Sequence, residues 1–423
     1  MCRPRQRWRW SRGVHLNDPL VVLRDPVTIR LRCQAITQAV ADERSAWFRL
    51  DRSKLGGVAD RVAALTRQRF PDLDIPFHSR WRHFESGGVA RKAELDGLLA
   101  HRSAAERARA MFDLTVVSVL LDAGAGSAWR FKEGERDYLR SEGLAVASFR
   151  AFTAGAFSND AADPWRVDAA ALMRLDIGQL RSLLQVTATN PLVGLEGRTG
   201  LLNRLGEALQ TQSQKDGTPA RPALLFDRLS ADGRSEVSAT QVLGEVLRAF
   251  ASVWKSGSMV SGVPAGDVWP HRFAGGDCAA GFDNTTAGWV PFHKLSQWLS
   301  YSLLEPLQWA GLTVTGLDAL TGLPEYRNGG LFVDGGVIVP RYARDAAQRW
   351  KPGDEFVVEW RALTVTLLDE VAVLVRERLG PGAEQLPLAC ILEGGTWAAG
   401  RQIANERRDG SPPFQVDSDG TLF

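Results

Sequence analysis

The sequence predicts a mainly α-helical protein with one small β element, a hairpin near residues 331–339. Apolar residues recur at helical spacing through most of the chain, and capping residues precede several of these stretches. Only one segment combines β-branched runs with the turn residues of a tight hairpin. We expect one large, mostly helical domain over residues 21–423, with any subdivision at the polar linker over residues 213–222.

Two helix starts are marked by local signals. Asp25 precedes Pro26, which suits the N-cap and first position of a helix. Ser103 is placed to cap the second half of a long helical stretch over residues 90–124. Helical periodicity is also found over residues 55–70, 166–187, 200–211, 240–254 and 363–380.

The predicted β element is the segment GGLFVDGGVIVPR, residues 329–341. Asp334 and Gly335 lie between two short runs of β-branched or aromatic residues. This pattern is typical of a hairpin with a two-residue turn.

The N-terminal residues 1–20 are predicted to be a disordered basic extension. Their first 13 residues contain five arginines and no following apolar run, so they do not form a secretory signal. A nucleic-acid-binding arm and an upstream start codon are the alternatives. The cysteines lie far apart and form no C-x-x-C pair, which favours reduced thiols in a cytoplasmic protein; they are Cys2, Cys33, Cys278 and Cys390.

The charge balance argues against nucleic acid as the partner. Fifty-one basic and forty-nine acidic side chains leave a net charge of +2. Proteins that grip a phosphate backbone usually carry a basic excess. No stretch approaches the roughly 20 apolar residues of a membrane span, so no membrane partner is expected either.

Cofactor and metal signals are weak. The segment DAGAGSAWRF resembles a dinucleotide-binding loop, but Trp129 occupies the position of its third glycine. His78 and His83 are five residues apart and so do not share a helix face as a metal-binding pair does. We therefore predict neither a cofactor nor a metal.

Two stretches offer cations beside aromatic rings. In DIPFHSRWRHF, His78, Arg80, Trp81 and Arg82 are candidates for substrate binding, with the arginines as donors to a phosphate or carboxylate. The alternative is a structural turn whose arginines pair with nearby carboxylates. Trp129 and Arg130 offer a similar combination, and the segments DVWPH and LEGGTWAAGR place carboxylates beside aromatic residues, including Asp267.

The most specific candidates are Lys294 and Glu325. On a helix starting near Pro291, Lys294, Gln297 and Tyr301 share one face. The neighbouring residues are apolar, and a lysine in such surroundings needs a partner anion or gives up its proton. Pro324 stiffens the turn that carries Glu325, which we expect to be that anion. Two unrelated surface groups are the alternative.

Several long segments make the chain similar to the uracil-catabolism protein family. They are PDLDIPFHSRWRHFESGGV, LLDAGAGSAWRF, RSEGLAVASFRAF, NPLVGLEGRTGLL, GWVPFHKLSQWLSYSLLEP, LTGLPEYRNGGLFVDGGVIVPR and LEGGTWAAGR. The resemblance implies a step in uracil breakdown that acts on ribosylurea or its 5-phosphate. Members are often labelled uracil phosphoribosyltransferases, but the phosphate loop of such enzymes is absent from this sequence.

A more distant resemblance concerns the queuosine 5′-phosphate N-glycosylases, which are similar to helical DNA glycosylases in fold. The segments PFHKLSQ and LTGLPEYR match their lysine and aspartate positions at Lys294 and Glu325, with glutamate in place of aspartate. The resemblance implies an N-glycosidase in which Glu325 stabilises the sugar cation and takes a proton from water. Lys294 would hold the carboxylate in place.

The chemistry of that reaction suggests candidates among the remaining residues. Donors to the leaving urea would come from His293, Tyr326 or Asp267, and a 5′-phosphate would be held by arginines from the set Arg80, Arg82, Arg130 and Arg327. The expected partner is thus a small ribosyl or ribosyl-phosphate substrate. Its phosphorylation state and the oligomeric state stay open. The alternatives are a phosphoribosyl transferase and a non-catalytic nucleic-acid-binding protein with a glycosylase-like fold.

Overall fold

The structure, a computed structural model, describes residues 19–122, 124–254, 258–275 and 286–417. The predicted basic extension lies almost entirely outside these residues, as do Cys2 and Cys278. The mainly helical fold class is confirmed. The helices are α1 Pro19–Leu23, α2 Pro26–Ala41, α3 Leu55–Arg69, α4 Arg80–Phe84, α5 Arg91–Leu98, α6 Ala104–Leu120, α7 Arg140–Thr153, α8 Ala169–Arg174, α9 Ile177–Leu183, α10 Leu195–Asp216, α11 Leu224–Leu229, α12 Ala239–Ala249, α13 Lys294–Trp309, α14 Tyr326–Asp334, α15 Ala343–Ala347, α16 Glu355–Leu379, α17 Leu388–Ile391 and α18 Trp397–Arg408.

The strands are short and form two-stranded pairs. Antiparallel pairs join β1 (Phe48–Leu50) to β10 (Ile338–Pro340), β2 (Arg130–Glu133) to β3 (Arg136–Leu139), β5 (Met259–Val260) to β6 (Val263–Pro264), and β7 (Val268–Pro270) to β8 (Trp289–Pro291). Parallel pairs join β4 (Glu236–Ser238) to β9 (Thr313–Thr315) and β11 (Arg349–Trp350) to β12 (Gln415–Val416). These ribbons connect helices and do not form a layer of their own.

The prediction of a hairpin near 331–339 is wrong, although a small β element does follow. Residues up to Asp334 belong to α14, and Gly335 with Gly336 ends that helix. Gly336 has a φ of +75°, which suits glycine at a helix end as well as in a turn. The apolar run before the glycines packs as a helix face, and Ile338 pairs with Leu50, far away in sequence.

The local capping predictions are confirmed. The Asp25 side chain accepts a hydrogen bond from Val27 N at the start of α2. Ser103 and Glu106 form a reciprocal capping box at the start of α6. Helix α13 begins at Lys294 rather than near Pro291, because Pro291 is the last residue of β8.

Helix α16 lies at the centre of the fold. It is buried along most of its length and packs against α2, α3 and α14. One continuous apolar core extends from Val40 to Phe414 and includes residues on both sides of the 213–222 segment. Helix α10 continues to Asp216, so the first part of that segment is helical. None of the helices in the described ranges combines the length and the apolar character needed to cross a bilayer.

Close helix contacts around α14 depend on glycine. A Cβ at Gly400 of α18 would lie 2.2 Å from the Arg327 carbonyl oxygen. A Cβ at Gly329 would lie 2.7 Å from the indole of Trp360 on α16. Helix α14 is therefore held between two helices at distances that larger residues would not allow.

We predict that Gly400→Ala lowers the free energy of unfolding by about 1–3 kcal/mol, because the added methyl group must push α18 away from α14. Gly244→Ala is the matched control in the middle of α12, where nothing lies within 4 Å of the added Cβ. The control should be neutral or stabilising by up to about 1 kcal/mol, since alanine favours helix. Urea denaturation measures both, and equal stability of the two variants would contradict the close packing.

Candidate active site

Lys294 is the first residue of α13, and its position is fixed from two sides. The preceding residue, His293, has a left-handed φ of +48°, which is uncommon for a residue other than glycine. The ring Nε2 of His293 donates to the carbonyl oxygen of Leu23 at 2.9 Å. The backbone N–H of Lys294 donates to Asp267 Oδ2 at 3.0 Å. The helix start therefore has one defined conformation.

Asp267 is a buried carboxylate whose two oxygens are both occupied. Arg361 of α16 forms a bidentate ion pair with it, with both N–O distances 2.7 Å. Trp269 Nε1 donates to the same carboxylate at 2.7 Å. Burial raises the pKa of Asp267, but Arg361 and the hydrogen bonds lower it more, so that the net pKa is well below the usual value. Asp267 therefore positions Lys294.

The polar face predicted on α13 connects this helix to the segment that carries Glu325. Gln297 Nε2 donates to Thr321 Oγ1 at 2.6 Å, and Thr321 N donates to Gln297 Oε1 at 2.9 Å. The Tyr301 hydroxyl donates to the Thr321 carbonyl oxygen at 3.0 Å. All three residues are fully buried. The face therefore has a structural role in its buried part and exposes only Lys294.

Glu325 is the N-cap of α14. Its Oε2 accepts a hydrogen bond from Arg327 N at 2.8 Å, and its Oε1 accepts one from Asn328 N at 2.6 Å. Shorter side chains are the usual N-caps, so glutamate here is unusual. These two bonds give the carboxylate a single orientation, while the residue remains partly exposed.

Lys294 and Glu325 interact electrostatically, as expected from the sequence. Burial lowers the pKa of Lys294, and the carboxylates of Glu325, Asp122 and Asp267 oppose that shift without reversing it. Within the described ranges, no hydrogen bond or ion pair joins the ammonium group to a side chain. The two groups therefore lie close enough to interact electrostatically but form no direct salt bridge.

Helix α4 brings a second set of polar groups to this region. Arg80 Nη1 lies 2.9 Å from Asp122 Oδ2, and Trp298 Nε1 donates to the same oxygen at 3.1 Å. Trp298 is one helical turn after Lys294 on α13. Asp122 also interacts electrostatically with Lys294. The α4 cluster and the pair of Lys294 and Glu325 are therefore neighbours.

A π-helical turn contributes a further set of residues to this region. The turn Leu392–Thr396 joins α17 to α18 and precedes Trp397. The guanidinium carbon of Arg327 lies 3.9 Å from the centroid of the Trp397 ring. His78 Nδ1 donates to Glu393 Oε2 at 2.8 Å, and its ring lies 4.7 Å from that of Trp298. Single π turns inside helices are often found at functional sites.

The predicted substrate-binding residues separate into two groups. The first group is near Lys294 and Glu325. Tyr326 and Arg327 directly follow Glu325, at the start of α14. His78 contacts Trp298, and Arg80 pairs with Asp122. The others make contacts typical of structural residues. Trp81 and Trp129 are buried and donate to the carbonyl oxygens of Ser302 and Leu184, Arg82 pairs with Glu305, and Arg130 is exposed and pairs with Asp137.

The three predicted donors to a leaving group also differ. The Asp267 carboxylate already forms an ion pair with Arg361. The Nε2 atom of His293 already donates a hydrogen bond to the carbonyl oxygen of Leu23. The Tyr326 hydroxyl accepts a bond from Arg327 Nε at 3.2 Å and keeps its own proton for another acceptor. Tyr326 is thus the one of the three whose contacts suit that role.

The sequence interpretation did not select His83, Asp122, Trp298 or Trp397 as site residues. His83 lies in the segment DIPFHSRWRHF, and Asp122 begins the segment DAGAGSAWRF. Trp298 follows Lys294 by four residues, and Trp397 follows Glu393 by four. That i,i+4 spacing on a helix was the available signal. The site brings together residues from α4, α13, α14, the π turn and the start of α18, with Asp122 just after the end of α6.

No group of three or more histidine, cysteine, aspartate or glutamate residues in the described part of the chain is arranged to hold a metal ion. Two surface cavities, of about 450 and 400 Å³, lie elsewhere. The larger is lined by residues such as Lys92 and Trp309, and the smaller by residues such as Arg61 and Asp334. The chemistry of the side chains, and not cavity size, marks the candidate site.

Comparison with known proteins shows the family to which the chain belongs. Protein urg3 of Schizosaccharomyces pombe is 38% identical over 405 residues, covering 93% of this chain and 96% of that protein. Uracil catabolism protein 4 of Lachancea kluyveri is 37% identical over 417 residues, covering 90% of this chain and 93% of that protein. The family model described as "Protein of unknown function (DUF1688)" matches residues 22–423, and the chain therefore belongs to the DUF1688 family.

Proposed function

We propose that this protein acts in uracil catabolism by hydrolysing the N-glycosidic bond of a ribosylurea-type compound, with release of urea. The name of the Lachancea kluyveri relative supports the pathway, since that protein is similar over nearly the whole chain. The reaction itself is supported by the arrangement of Lys294 and Glu325. The segments around these residues are also those that resemble N-glycosylases.

The observation that carries the proposal is that Lys294 and Glu325 each stand at the start of a helix and interact electrostatically. Thr321 is bonded to Gln297 and Tyr301, so α13 directly holds the segment that leads to Glu325. The N-terminal end of α14 fixes the carboxylate through two backbone N–H groups. A carboxylate held in one orientation beside a lysine is suited to catalysis on a small substrate.

The chemistry fits this arrangement. Departure of urea from C1 builds positive charge on the ribose ring. The Glu325 carboxylate stabilises that charge and accepts a proton from the water that attacks C1. The Lys294 ammonium orients the carboxylate. Only the two protein groups and one water are needed for this step.

Arg327 is the strongest candidate to bind a 5-phosphate on the substrate. Its guanidinium stacks on Trp397, which fixes the plane of the group. Its Nη1 is buried and has no hydrogen-bond partner in the described residues. Burial lowers the pKa of Arg327, but Tyr326, Glu325 and Glu142 raise it more, so the group stays charged. A phosphate oxygen would satisfy the free donor.

The proposal is tested by incubating the purified protein with synthetic ribosylurea and with its 5-phosphate, and by measuring urea and sugar. We expect urea and free sugar, or sugar phosphate, in equal amounts, with and without EDTA. No pyrophosphate or phosphoribosyl donor should be needed. Turnover that requires pyrophosphate would instead indicate phosphoribosyl transfer, and the absence of urea from both substrates would overturn the proposal.

We predict that Glu325→Gln lowers kcat by at least about a hundredfold, because an amide can neither accept the proton nor carry the negative charge. Asp176→Asn is the matched control, since Asp176 is an N-cap carboxylate of α9 with a similar bond to backbone. The control should keep wild-type kcat. If Glu325→Gln is folded and releases urea at the wild-type rate, Glu325 has no part in the reaction.

We predict that Lys294→Met also loses at least about a hundredfold in kcat, because the charge that orients Glu325 is gone. Lys294→Arg should keep part of the activity. Since burial lowers the pKa of Lys294, the ammonium loses its proton at a pH below about 10.4, the usual lysine pKa. Wild-type activity should therefore fall as the pH rises through this lowered pKa. Lys294→Arg should move that fall to higher pH, because a guanidinium stays protonated.

Treatment with borohydride during turnover distinguishes this electrostatic role from a covalent one. A neutral lysine nucleophile would form a Schiff base with the ring-opened sugar, and reduction would trap it. We expect no adduct by mass spectrometry. A trapped sugar on Lys294 would replace the electrostatic role with a nucleophilic one and leave the N-glycosidase proposal in place.

A further inference from the structure

The tautomer of His83 is fixed by a buried arginine. His83 Nδ1 lies 3.2 Å from Arg80 Nη1. A guanidinium group can only donate, so Nδ1 must be the acceptor and the ring proton must be on Nε2. Arg80 itself is held by Asp122 at 2.9 Å and donates through Nε to Ser118 Oγ at 2.8 Å. His83 therefore offers one N–H donor from a fixed position.

This donor lies beside other polar atoms that lack partners. In the ranges that the structure covers, Nε2 of His83 makes no hydrogen bond. Arg80 Nη2 and Asp122 Oδ1 are buried and have no partner with good hydrogen-bond geometry there either, although the Ser141 side chain is close enough to lower the pKa of Asp122. Buried polar groups are nearly always paired with protein or water, so a cluster of unpaired ones is a place where a polar ligand can replace water. The set comprises two donors and one acceptor.

Aromatic rings surround the unpaired polar atoms. The His83 ring lies 5.7 Å from the Trp298 ring and 5.8 Å from the Trp397 ring. Trp298 also donates to Asp122 and follows Lys294 by one turn of α13. The unpaired atoms therefore lie in aromatic surroundings, and Asp122 is close enough to Lys294 to interact with it electrostatically.

We propose that His83, Arg80 and Asp122 bind the ureido leaving group of the substrate. This inference rests on the proposed function and names the part of the substrate that these residues recognise. A ureido group presents a carbonyl oxygen, which would accept from His83 Nε2 and Arg80 Nη2, and N–H groups, of which one would donate to Asp122 Oδ1. Its planar shape suits aromatic surroundings such as the rings of Trp298 and Trp397.

The bond changes in the reaction balance with these groups alone. The C1–N bond breaks, and its electron pair moves onto the ureido nitrogen and is delocalised to the oxygen. The His83 donor stabilises that oxygen without losing its proton. Water adds to C1, and its proton passes to Glu325 and then to the urea nitrogen. Ribose, or its phosphate, and urea are the products.

A neutral imidazole is well suited to this binding role. Burial and the neighbouring Arg80 lower the pKa of His83 to about 4. The ring therefore stays neutral, with its proton on Nε2, throughout the neutral range. Neutral histidines that stabilise a developing oxyanion by hydrogen bonding are known from other enzymes.

The test compares two leaving groups in the same assay. We expect His83→Phe to lower kcat for the ureido riboside by about 100-fold or more, the usual effect of removing one such donor. The same variant should retain kcat within about threefold on a 4-nitrophenyl riboside, whose leaving group departs as a stable anion. His83→Gln, which can return an N–H donor, should recover part of the loss. His101→Phe changes an exposed histidine and serves as the control.

The outcomes separate this inference from the proposed function. Equal losses of His83→Phe on both substrates, or no loss on the ureido riboside, would overturn the inference while leaving the N-glycosidase in place. A wild-type protein that cleaves neither substrate would overturn the proposed function and this inference with it.

A measurement without turnover tests the tautomer. Nitrogen NMR of the ¹⁵N-histidine-labelled protein, with His83→Gln used for assignment, should show His83 protonated at Nε2 and unprotonated at Nδ1 from pH 6 to 8. Arg80→Met should remove that preference, because the donor to Nδ1 is lost. A His83 ring protonated at Nδ1 in the wild type would overturn the inference, whatever the activity.

Discussion

The candidate site depends on the buried ion pair of Asp267 and Arg361. The pair connects central helix α16 to the residue before strand β7, and Asp267 also accepts the first backbone N–H of α13. A buried carboxylate with two bonds to one guanidinium is rigid, and removing either partner would leave a buried charge unpaired. Because Lys294 begins α13, the position of its backbone follows from this pair.

The rest of the site is built outward from α13. Gln297 and Tyr301 hold Thr321 and thus the approach to Glu325, while Ser302 accepts the backbone N–H of Arg80 and places α4. One helix therefore orients both charged groups and the cluster that contains His83. Gln297, Tyr301 and Ser302 are buried in this otherwise apolar helix, and each holds a neighbouring segment by a hydrogen bond.

Sequence patterns predicted those features that depend on neighbours in the chain. Caps such as Asp25 and Ser103 act within three residues, and the helical periodicity follows from one buried face. The hairpin prediction failed because aspartate followed by glycine also ends a helix, and only the pairing of Ile338 with Leu50 decides between the two. Lys294 and Glu325 could be selected through a resemblance and because charge in an apolar setting is unusual. The grouping of Asp122 with Trp298 could not, since 176 residues separate them and the contact exists only in the packed fold.

The π turn at Leu392–Thr396 has a consequence for the phase of the last long helix. Residues 388–408 form one continuous helical path, in which the turn accommodates one residue more than a regular α-helix would. In a regular helix each residue advances the direction of the side chains by about 100°. The extra residue thus sets the angle between Cys390, which is bonded to Ile75 on the core side, and Trp397, which stacks on Arg327. Deleting one residue from this turn would rotate the side chains after the deletion relative to those before it. The contact of Cys390 with Ile75 and the stacking of Trp397 on Arg327 could then not both be retained.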